Sequence, residues 1–384
     1  MTKATRGALA VSFVTTALCL LLAEWVIATL RPQMTMAVLL EDAPRIFRSS
    51  DVLPYQLVPN AESAHRTAEF SVPIRINSCG YRCREFDVAK GEQFRILVVG
   101  DSFTFGHGCT SQECYASALQ RELEEALGPG AAEVINAGYA SCYYPDTYYL
   151  YLKTFGLELD PDLVIVGFFV GNDVDRQGMV FNEWVEVDER GLPLRIASAN
   201  AHVEDGYWVS DSRLLRYRYP ILRNSHLFQA IVSVLRSSGA PAEGRYRNEL
   251  MYRPSYAERT IGAVDGVKRL FTEMDAMTKA SGAQFLVFSI PAIEQVEPHR
   301  FFDEEGADSS LDILKPQRLF GEFFEESGID FVDPLPFLRS MSEESLYYPI
   351  DQHWTPAGNE LAGRWLARRL LEMGAVPRPP VRGI

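Results

Sequence analysis

Apolar and polar residues are arranged along most of the chain in the patterns of alternating strands and helices. Beyond about residue 94, short apolar runs that end in glycine or a polar residue alternate with longer segments of helical periodicity. The predicted strands cover residues 96–99, 134–138, 163–170, 284–290 and 330–332. The predicted helices cover residues 115–127, 146–155, 257–280, 316–326 and a C-terminal segment from 356. This alternation predicts an α/β fold with a mostly parallel five-stranded sheet and right-handed crossovers.

The N-terminal segment is almost wholly apolar. Residues 8–30 contain one charged side chain, Glu24, and are long enough to cross a bilayer as a helix. Because Lys3 and Arg6 precede the run, we expect the N-terminus to stay in the cytoplasm and the rest of the chain to lie outside it. No small-residue cleavage site closes the run cleanly, which favours an uncleaved signal anchor over a cleaved signal peptide.

The pattern predicts three successive parts. Residues 1–30 form a cytoplasmic tip and transmembrane helix, residues 31–74 a connector interrupted by prolines, and residues 75–384 the main domain. An insertion at about 175–255 separates the third and fourth predicted strands and is too long for a bare loop in a compact domain. We expect it to form a partial cap on the substrate side.

Aromatic residues within this insertion admit two interpretations. Trp184, Tyr207 and Trp208 could stack on sugar rings or simply pack against the protein.

A candidate nucleophile follows the first predicted strand. The apolar run 96–99 ends at Gly100, and Asp101 and Ser102 come directly after it. A serine just past the carboxyl end of a buried strand lies where open α/β sheets place their chemistry. We therefore assign Ser102 as the candidate nucleophile and expect Asp101 to hold its turn by accepting backbone N–H groups.

A serine hydroxyl needs a base that removes its proton. Of the six histidines, His353 has a carboxylate, Asp351, at close spacing on a loop that leads into the C-terminal helix. We expect Asp351 to hold one ring nitrogen of His353 while the other nitrogen faces Ser102. His107 lies near Ser102 in sequence, but we expect it to be a solvent-exposed loop histidine.

Donors for the oxyanion should come from the ends of other strands. Gly138 ends the second predicted strand and can bring its backbone N–H close to a ligand, and Asn172 follows the third strand with an amide that can donate. The neighbouring Asp173 would either support this turn or cap the next segment.

Four sequence blocks, taken together, resemble the SGNH (GDSL-type) hydrolase superfamily. In chain order they are Gly100-Asp101-Ser102, Asn136-Ala137-Gly138, Gly171-Asn172-Asp173 and Asp351-Gln352-His353. The resemblance covers roughly residues 75–371. It implies a flavodoxin-like, three-layer α/β/α sandwich.

The resemblance also implies roles for the site residues. Ser102 would be the nucleophile, His353 the base and Asp351 the group that orients the base. The oxyanion hole would consist of the backbone N–H groups of Ser102 and Gly138 together with the side chain of Asn172. No metal or cofactor is implied.

Two positions depart from the family pattern. Asp351 and His353 are two residues apart, whereas many members space them by three. The resulting Asp-x-His-Trp form is similar to relatives that act on polysaccharide O-acetyl groups. Cys142 stands where the family often has glycine, so we expect a narrower site or an altered loop there.

Residues 76–82 resemble the segment that precedes the domain in membrane-anchored bacterial members, which implies a periplasmic domain on the inner membrane.

Charge and cysteine content narrow the class of protein. A net charge of −14 without any basic run argues against binding nucleic acid. Outside the cytoplasm Cys79 could pair with Cys83, or Cys109 with Cys114. A zinc site formed by these four residues is the less favoured interpretation, because neither spacing is the tight two-residue knuckle.

The sequence thus predicts a membrane-anchored serine esterase that hydrolyses or transfers O-acyl groups, above all O-acetyl groups, on extracytoplasmic carbohydrate. The alternatives are a lysophospholipase or other lipid esterase, a polysaccharide O-acetyltransferase that uses the same residues, and a non-catalytic carbohydrate-binding module.

Overall fold

The computed structural model describes eight stretches of the chain, which are residues 3–33, 35–174, 184–196, 201–210, 222–237, 249–301, 311–341 and 345–377. The chain divides into two compact units, one formed by residues 1–43 with 200–243 and the other by residues 44–199 with 244–384. This division differs from the predicted boundaries, because the connector's last residues, 44–74, join the larger unit and part of the insertion groups with the N-terminal helix.

Regular elements occupy most of the described chain. The strands are β1 (Phe47–Arg48), β2 (Gln56–Leu57), β3 (Glu62–Arg66), β4 (Ser71–Arg75), β5 (Phe94–Gly100), β6 (Ala132–Gly138), β7 (Leu163–Phe169), β8 (Val185–Val187), β9 (Pro193–Ile196), β10 (Ala201–Glu204), β11 (Tyr207–Ser210), β12 (Gln284–Ile290) and β13 (Asp330–Val332). The α-helices are α1 (Lys3–Leu30), α2 (Met36–Asp42), α3 (Ser102–Phe105), α4 (Tyr115–Leu127), α5 (Pro145–Tyr151), α6 (His226–Ser237), α7 (Glu249–Tyr252), α8 (Glu258–Ala280), α9 (Ile293–Val296), α10 (Lys315–Ser327), α11 (Leu335–Ser340) and α12 (Pro356–Met373). Each predicted strand and helix of the main domain is present, with its ends shifted by a few residues at most.

Five strands of the larger unit form one parallel sheet, in the order β13-β12-β7-β5-β6. The predicted parallel five-stranded sheet is therefore confirmed. The four remaining strand pairs of the described chain are two-stranded antiparallel hairpins, β1–β2, β3–β4, β8–β9 and β10–β11. Strands buried on both faces explain why the sheet appears in the sequence as continuous apolar runs rather than as alternating patterns.

Helices cover both faces of the sheet. On one face, Leu119 of α4 and Leu366 of α12 join the buried cluster that covers the strands. On the other face, Phe168 of β7 packs edge-on against Phe271 of α8 at a ring separation of 5.0 Å and against Phe320 of α10 at 4.8 Å. The three-layer α/β/α arrangement is thus the expected one.

The N-terminal helix α1 belongs to the smaller unit. Within Thr5–Leu30 an 18-residue window has a mean hydropathy of 2.0, and the helix is long and apolar enough to cross a membrane. The single charged side chain within the apolar run, Glu24, accepts hydrogen bonds at the start of α6. Its carboxylate accepts the Ser225 hydroxyl at 2.6 Å and the backbone N–H groups of His226 and Leu227 at 2.6 and 2.9 Å.

The insertion is described only in part. Its hairpin β8–β9 lies in the larger unit, whereas β10, β11 and α6 lie in the smaller one. Tyr207 and Trp208 are on β11, and Trp184 precedes β8. Residues 175–183, 197–200, 211–221 and 238–248 lie outside the described residues. The cap over the substrate side, and sugar stacking by these aromatic residues, stay predictions.

Two helical glycines offer a matched test of the packing. A Cβ added to Gly363 of α12 would lie 2.3 Å from the Tyr115 carbonyl oxygen of α4. A Cβ added to Gly262 of α8 would have no neighbouring atom within 4 Å outside its own helix backbone and adjacent residues. Gly363→Ala should lower the free energy of unfolding by about 1–3 kcal/mol because the helices must separate. Gly262→Ala should raise it by up to about 1 kcal/mol because alanine is the better helix former. Chemical denaturation followed by circular dichroism measures both, and equal effects of the two changes would contradict this account of the packing.

Candidate functional site

The turn that carries Ser102 begins where β5 ends. Asp101 is the N-cap of the short helix α3, and its Oδ1 accepts the backbone N–H of Phe103 at 3.0 Å. The expectation that Asp101 holds this turn is confirmed. Ser102 is the first helical residue, so its own N–H has no acceptor within the helix and can face the site.

Arg82 supports the same turn through hydrogen bonds to its backbone. Arg82 was not recognised as a site residue in the sequence. This guanidinium is fully buried and donates at 2.6 Å to the carbonyl oxygens of Phe105 and Gly106, and also to that of Cys109. Its carbon lies 4.5 Å from the centre of the Phe105 ring. The segment 76–82 therefore contributes a cation that fixes the loop just after the candidate nucleophile. A lone arginine in a sequence gives no sign of such burial.

The loop with Asp351 and His353 is held at both ends. A backbone bridge joins Tyr347 to the buried Trp354, and Thr355 caps α12 by accepting the backbone N–H of Gly358 at 3.2 Å. The predicted helix start is confirmed.

Gln352, between the acid and the base, lies in the left-handed region with φ of 68°. This conformation curls the loop so that a spacing of two still brings the Asp351 carboxylate onto the His353 ring. The departure from the three-residue spacing thus has a structural explanation.

The predicted nucleophile, base and acid lie in one hydrogen-bonded row. His353 Nε2 is 2.7 Å from Ser102 Oγ, and His353 Nδ1 is 2.6 Å from Asp351 Oδ1. Burial alone would raise the pKa of Asp351, but hydrogen bonds from His107 and His353 outweigh it and hold that pKa well below its usual range. A carboxylate that stays ionised can keep Nδ1 protonated, which leaves Nε2 free to accept the serine proton.

His107 is not the exposed loop histidine that we expected. Only 16% of its side chain is accessible, and its Nε2 lies 3.3 Å from Asp351 Oδ2. Burial lowers the pKa of His107, and the neighbouring His353 lowers it further. The expectation failed because the contact joins two loops 244 positions apart, a pairing that local sequence does not encode.

Of the three predicted oxyanion donors, Asn172 and Gly138 differ in their surroundings. Asn172 lines the cleft beside Ser102, and its amide nitrogen lies 3.2 Å from Asp101 Oδ2, which leaves a second N–H on the same nitrogen. Gly138 ends β6, but its N–H donates to the Asn136 side chain at 2.9 Å. A role for Gly138 in the oxyanion hole would require its N–H to change acceptor, and that role stays a prediction.

Asp173 supports the turn that presents Asn172. Its carboxylate accepts the Tyr148 hydroxyl at 2.9 Å and the backbone N–H of Phe169 at 3.0 Å. Of the two roles considered for Asp173, the contacts favour support of the turn.

A small cleft opens above the serine. It encloses about 360 Å³, including space open to solvent. Its walls combine apolar and polar side chains, which are Phe103, Phe169, Ala292, Ile293, Asn172, Glu294 and Gln352. Glu294, at the start of α9, is buried and was not singled out in the sequence. The cleft therefore presents both apolar and polar side chains near Ser102 and His353.

The cysteines lie apart from this cleft. All six are free thiols, so neither suggested disulfide is present in the structure. Cys142 adopts the left-handed conformation, with φ of 58°, that glycine would adopt without strain, and it is not among the residues that line the cleft. The cleft lining gives no support to the expected narrowing of the site by Cys142.

Comparison with known proteins finds one family model that matches part of the chain. The model of the SGNH hydrolase-like domain of the acetyltransferase AlgX matches residues 251–380, which include Asp351 and His353. Over these residues, about a third of the chain, the protein is similar to an SGNH hydrolase-like domain. The match supports a serine hydrolase of the class that acts on ester bonds. No curated protein sequence matches the chain.

Solved structures show more distant likenesses to the chain. A G-D-S-L family lipolytic protein from Desulfitobacterium hafniense is 13% identical, with a TM-score of 0.38 over 72% of this chain and 99% of that chain. An acetylxylan esterase from Geobacillus stearothermophilus is 16% identical, with a TM-score of 0.38 over 74% and 96%. The esterase EstA from a Pseudoalteromonas species is 10% identical, with a TM-score of 0.36 over 73% and 98%.

The left-handed Gln352 generates a prediction about catalysis. Gln352→Val should lower kcat on the order of 100-fold, because a β-branched residue disfavours this backbone region and displaces the acid from the base. Gln352→Asn also shortens the side chain but tolerates the conformation, so it should keep most of the activity. Steady-state kinetics on an aryl acetate compares the two, and a valine variant as active as the asparagine variant would refute the explanation.

Proposed function

We propose that this protein is an SGNH hydrolase that acts on O-acetyl esters of extracytoplasmic carbohydrate through an acetyl-enzyme on Ser102. The observation that carries the proposal is the row formed by Ser102, His353 and Asp351, with contacts of 2.7 and 2.6 Å. A serine, a histidine and a carboxylate in this arrangement allow the serine to attack an ester carbonyl.

The residues divide the reaction between them. Ser102 Oγ attacks the ester carbonyl while its proton passes to His353 Nε2. The Ser102 N–H and the Asn172 amide stabilise the oxyanion of the tetrahedral intermediate. His353 then gives its proton to the leaving sugar oxygen, which leaves an acetyl ester on Ser102. A water molecule or a second hydroxyl group, deprotonated by His353, attacks that ester. The acetyl group leaves as acetate or as the ester of the acceptor, and His353 returns the proton to Ser102 Oγ.

The cleft supports a short acyl group and a polar carrier. Its volume of about 360 Å³ includes space open to solvent, so the part enclosed beside Ser102 is smaller and suits a short acyl group better than a long chain. Among the lining residues, Phe169 and Ile293 offer apolar surface for a methyl group, and Glu294 and Gln352 add polar groups to the lining. Both features favour an acetylated sugar over a lysophospholipid. The Asp-x-His-Trp form at Asp351 adds to this, because it is similar to relatives that act on polysaccharide O-acetyl groups.

Acetyl transfer is a second candidate function, favoured by the family match to an acetyltransferase domain over residues 251–380. Hydrolysis and transfer share every step up to the acetyl-enzyme. They differ in whether water or a sugar hydroxyl reaches the ester on Ser102.

We also propose that α1 anchors the protein in a bacterial inner membrane with the hydrolase domain in the periplasm. The apolar stretch Thr5–Leu30 and the preceding Lys3 support this topology. Within the same unit α6 contributes further apolar surface, since Ile231 is 50% and Val234 66% exposed. The hydrogen bonds to Glu24 satisfy a charge that would otherwise be costly in the membrane.

The proposed chemistry predicts loss of activity on removal of either partner in the row. In the full chain, Ser102→Ala and His353→Ala should each lower hydrolysis of an aryl acetate by about 1,000-fold or more. Ser340→Ala and His299→Ala, which change exposed residues elsewhere in the chain, serve as matched controls. An aryl octanoate should be a much poorer substrate than the acetate.

Three results would separate the alternatives. Equal activity on octanoate would favour a lipid esterase. Labelling of Ser102 by a serine-reactive phosphonate with turnover only when an oligosaccharide acceptor is added would favour the transferase. A folded protein with neither turnover nor labelling would refute the enzyme and favour a binding module.

The anchor predicts the mass and the extraction behaviour of the native protein. Protein purified from membranes should have the intact mass of the full chain and should stay in the pellet after alkaline carbonate washing, because α1 spans the bilayer. A mature protein that begins near residue 31 and is released by the wash would instead indicate a cleaved signal peptide.

A further inference from the structure

We propose that His107 is a positioning residue of the hydrolase, which holds the Asp351 carboxylate in place for His353 and ties it to the turn that carries Ser102. This inference rests on the proposed function and adds a fourth residue to it. Neither the family match, which begins at residue 251, nor the four sequence blocks include His107.

The carboxylate of Asp351 lies between two imidazoles. Oδ1 is 2.6 Å from His353 Nδ1, and Oδ2 is 3.3 Å from His107 Nε2. The two rings lie side by side, with centroids 4.5 Å apart and planes inclined by 41°. A carboxylate held through one oxygen can still rotate about its own bond, whereas contacts to both oxygens fix its plane. The plane of this carboxylate sets the direction in which the His353 ring points.

His107 is suited to this task because its surroundings keep it neutral. Burial lowers its pKa, and the charges of His353 and Arg82 lower it further, against the opposing effect of Asp351. Its other ring neighbour, His65, lies 4.8 Å away and has a pKa lowered to about 4, so it adds no positive charge at neutral pH. A neutral His107 that carries its proton on Nε2 donates to Asp351 without repelling the imidazolium that forms on His353 during the reaction.

The backbone of His107 connects this contact to the nucleophile. Its N–H donates to the Ser102 carbonyl oxygen at 3.0 Å, just beyond the end of α3. One residue therefore touches the nucleophile turn through its backbone and the acid through its ring. A shift of either loop relative to the other would stretch one of these two contacts.

Other contacts hold the acid loop without touching the carboxylate. Glu69 accepts the backbone N–H groups of Ile350 and Asp351 at 2.9 and 2.6 Å, and the Tyr348 hydroxyl donates to the Gly108 carbonyl oxygen at 2.8 Å. These contacts fix the path of the backbone. Among the described residues, His107 and His353 contact the carboxylate itself. The role of His107 can therefore be separated from general support of the loop.

The test compares two substitutions at His107 in the full-length protein. His107→Gln keeps an N–H near the position of Nε2, whereas His107→Leu removes the donor at similar volume. We expect His107→Leu to lower kcat on an aryl acetate by about 10- to 100-fold, with little change in KM. Removal of the hydrogen-bond partners that orient metal-ligating histidines has effects of this size, and His107 orients Asp351 in a similar way. His107→Gln should keep most of the activity. If His107→Leu does not fold, His107→Asn, whose amide is too short to reach Oδ2, replaces it.

The pH profile separates positioning from packing. Loss of the His107 donor makes the Asp351 carboxylate more basic, so the proton on His353 is held more tightly. The acid limb of kcat/KM should therefore move to higher pH in His107→Leu and stay in place in His107→Gln. Tyr348→Phe, which removes a loop contact away from the carboxylate, should lower thermal stability without moving this limb.

The outcomes distinguish this inference from the function on which it rests. If wild-type protein turns over and Ser102 is labelled, but His107→Leu has an unchanged kcat or an unchanged pH profile, the positioning role is refuted and the function stands. Equal losses in the leucine and glutamine variants with an unmoved acid limb would likewise indicate packing alone. A wild type that neither turns over nor is labelled overturns the proposed function and this inference with it.

Discussion

The parallel pairing of β5 between β6 and β7 is the constraint on which the site depends. Gly100 lies opposite Gly138 on one side and Gly167 on the other, so β5 and β6 end at one level and β7 continues two residues further, to Phe169. The turn of Ser102 packs so closely on β6 that a Cβ on Gly138 would lie 2.3 Å from the Phe105 backbone nitrogen. Glycine at the second block is therefore a steric requirement of the nucleophile turn, whether or not its N–H also meets an oxyanion.

Burial alone does not decide which carboxylates of this site keep their charge. Burial raises the pKa of Asp173, and the charge of Asp101 raises it further, in spite of the donors Tyr148 and Phe169. Asp351 is less buried and meets two imidazoles, and its pKa is lowered. The negative charge is thus stabilised beside the base, while Asp173 is left as a hydrogen-bonding support.

Sequence predicted the features that depend on local pattern and missed those that depend on contacts between distant segments. Apolar runs and helix caps gave the sheet, its helices and the start of α12, and the end of β5 indicated Ser102. The burial of Arg82 under the nucleophile turn and the contact between His107 and Asp351 arise only when the loops meet. The left-handed backbone conformation of Gln352 is not indicated by the sequence either, since glutamine is not a residue that favours this conformation.

The same geometry serves hydrolysis and transfer, so the balance between them depends on what can approach the acetyl-enzyme. An attacking oxygen must come within reach of His353 Nε2, so it has to enter the cleft, whose wall includes polar side chains such as Glu294 and Gln352. Water needs little from that wall, whereas a sugar hydroxyl must be held there long enough to compete with water.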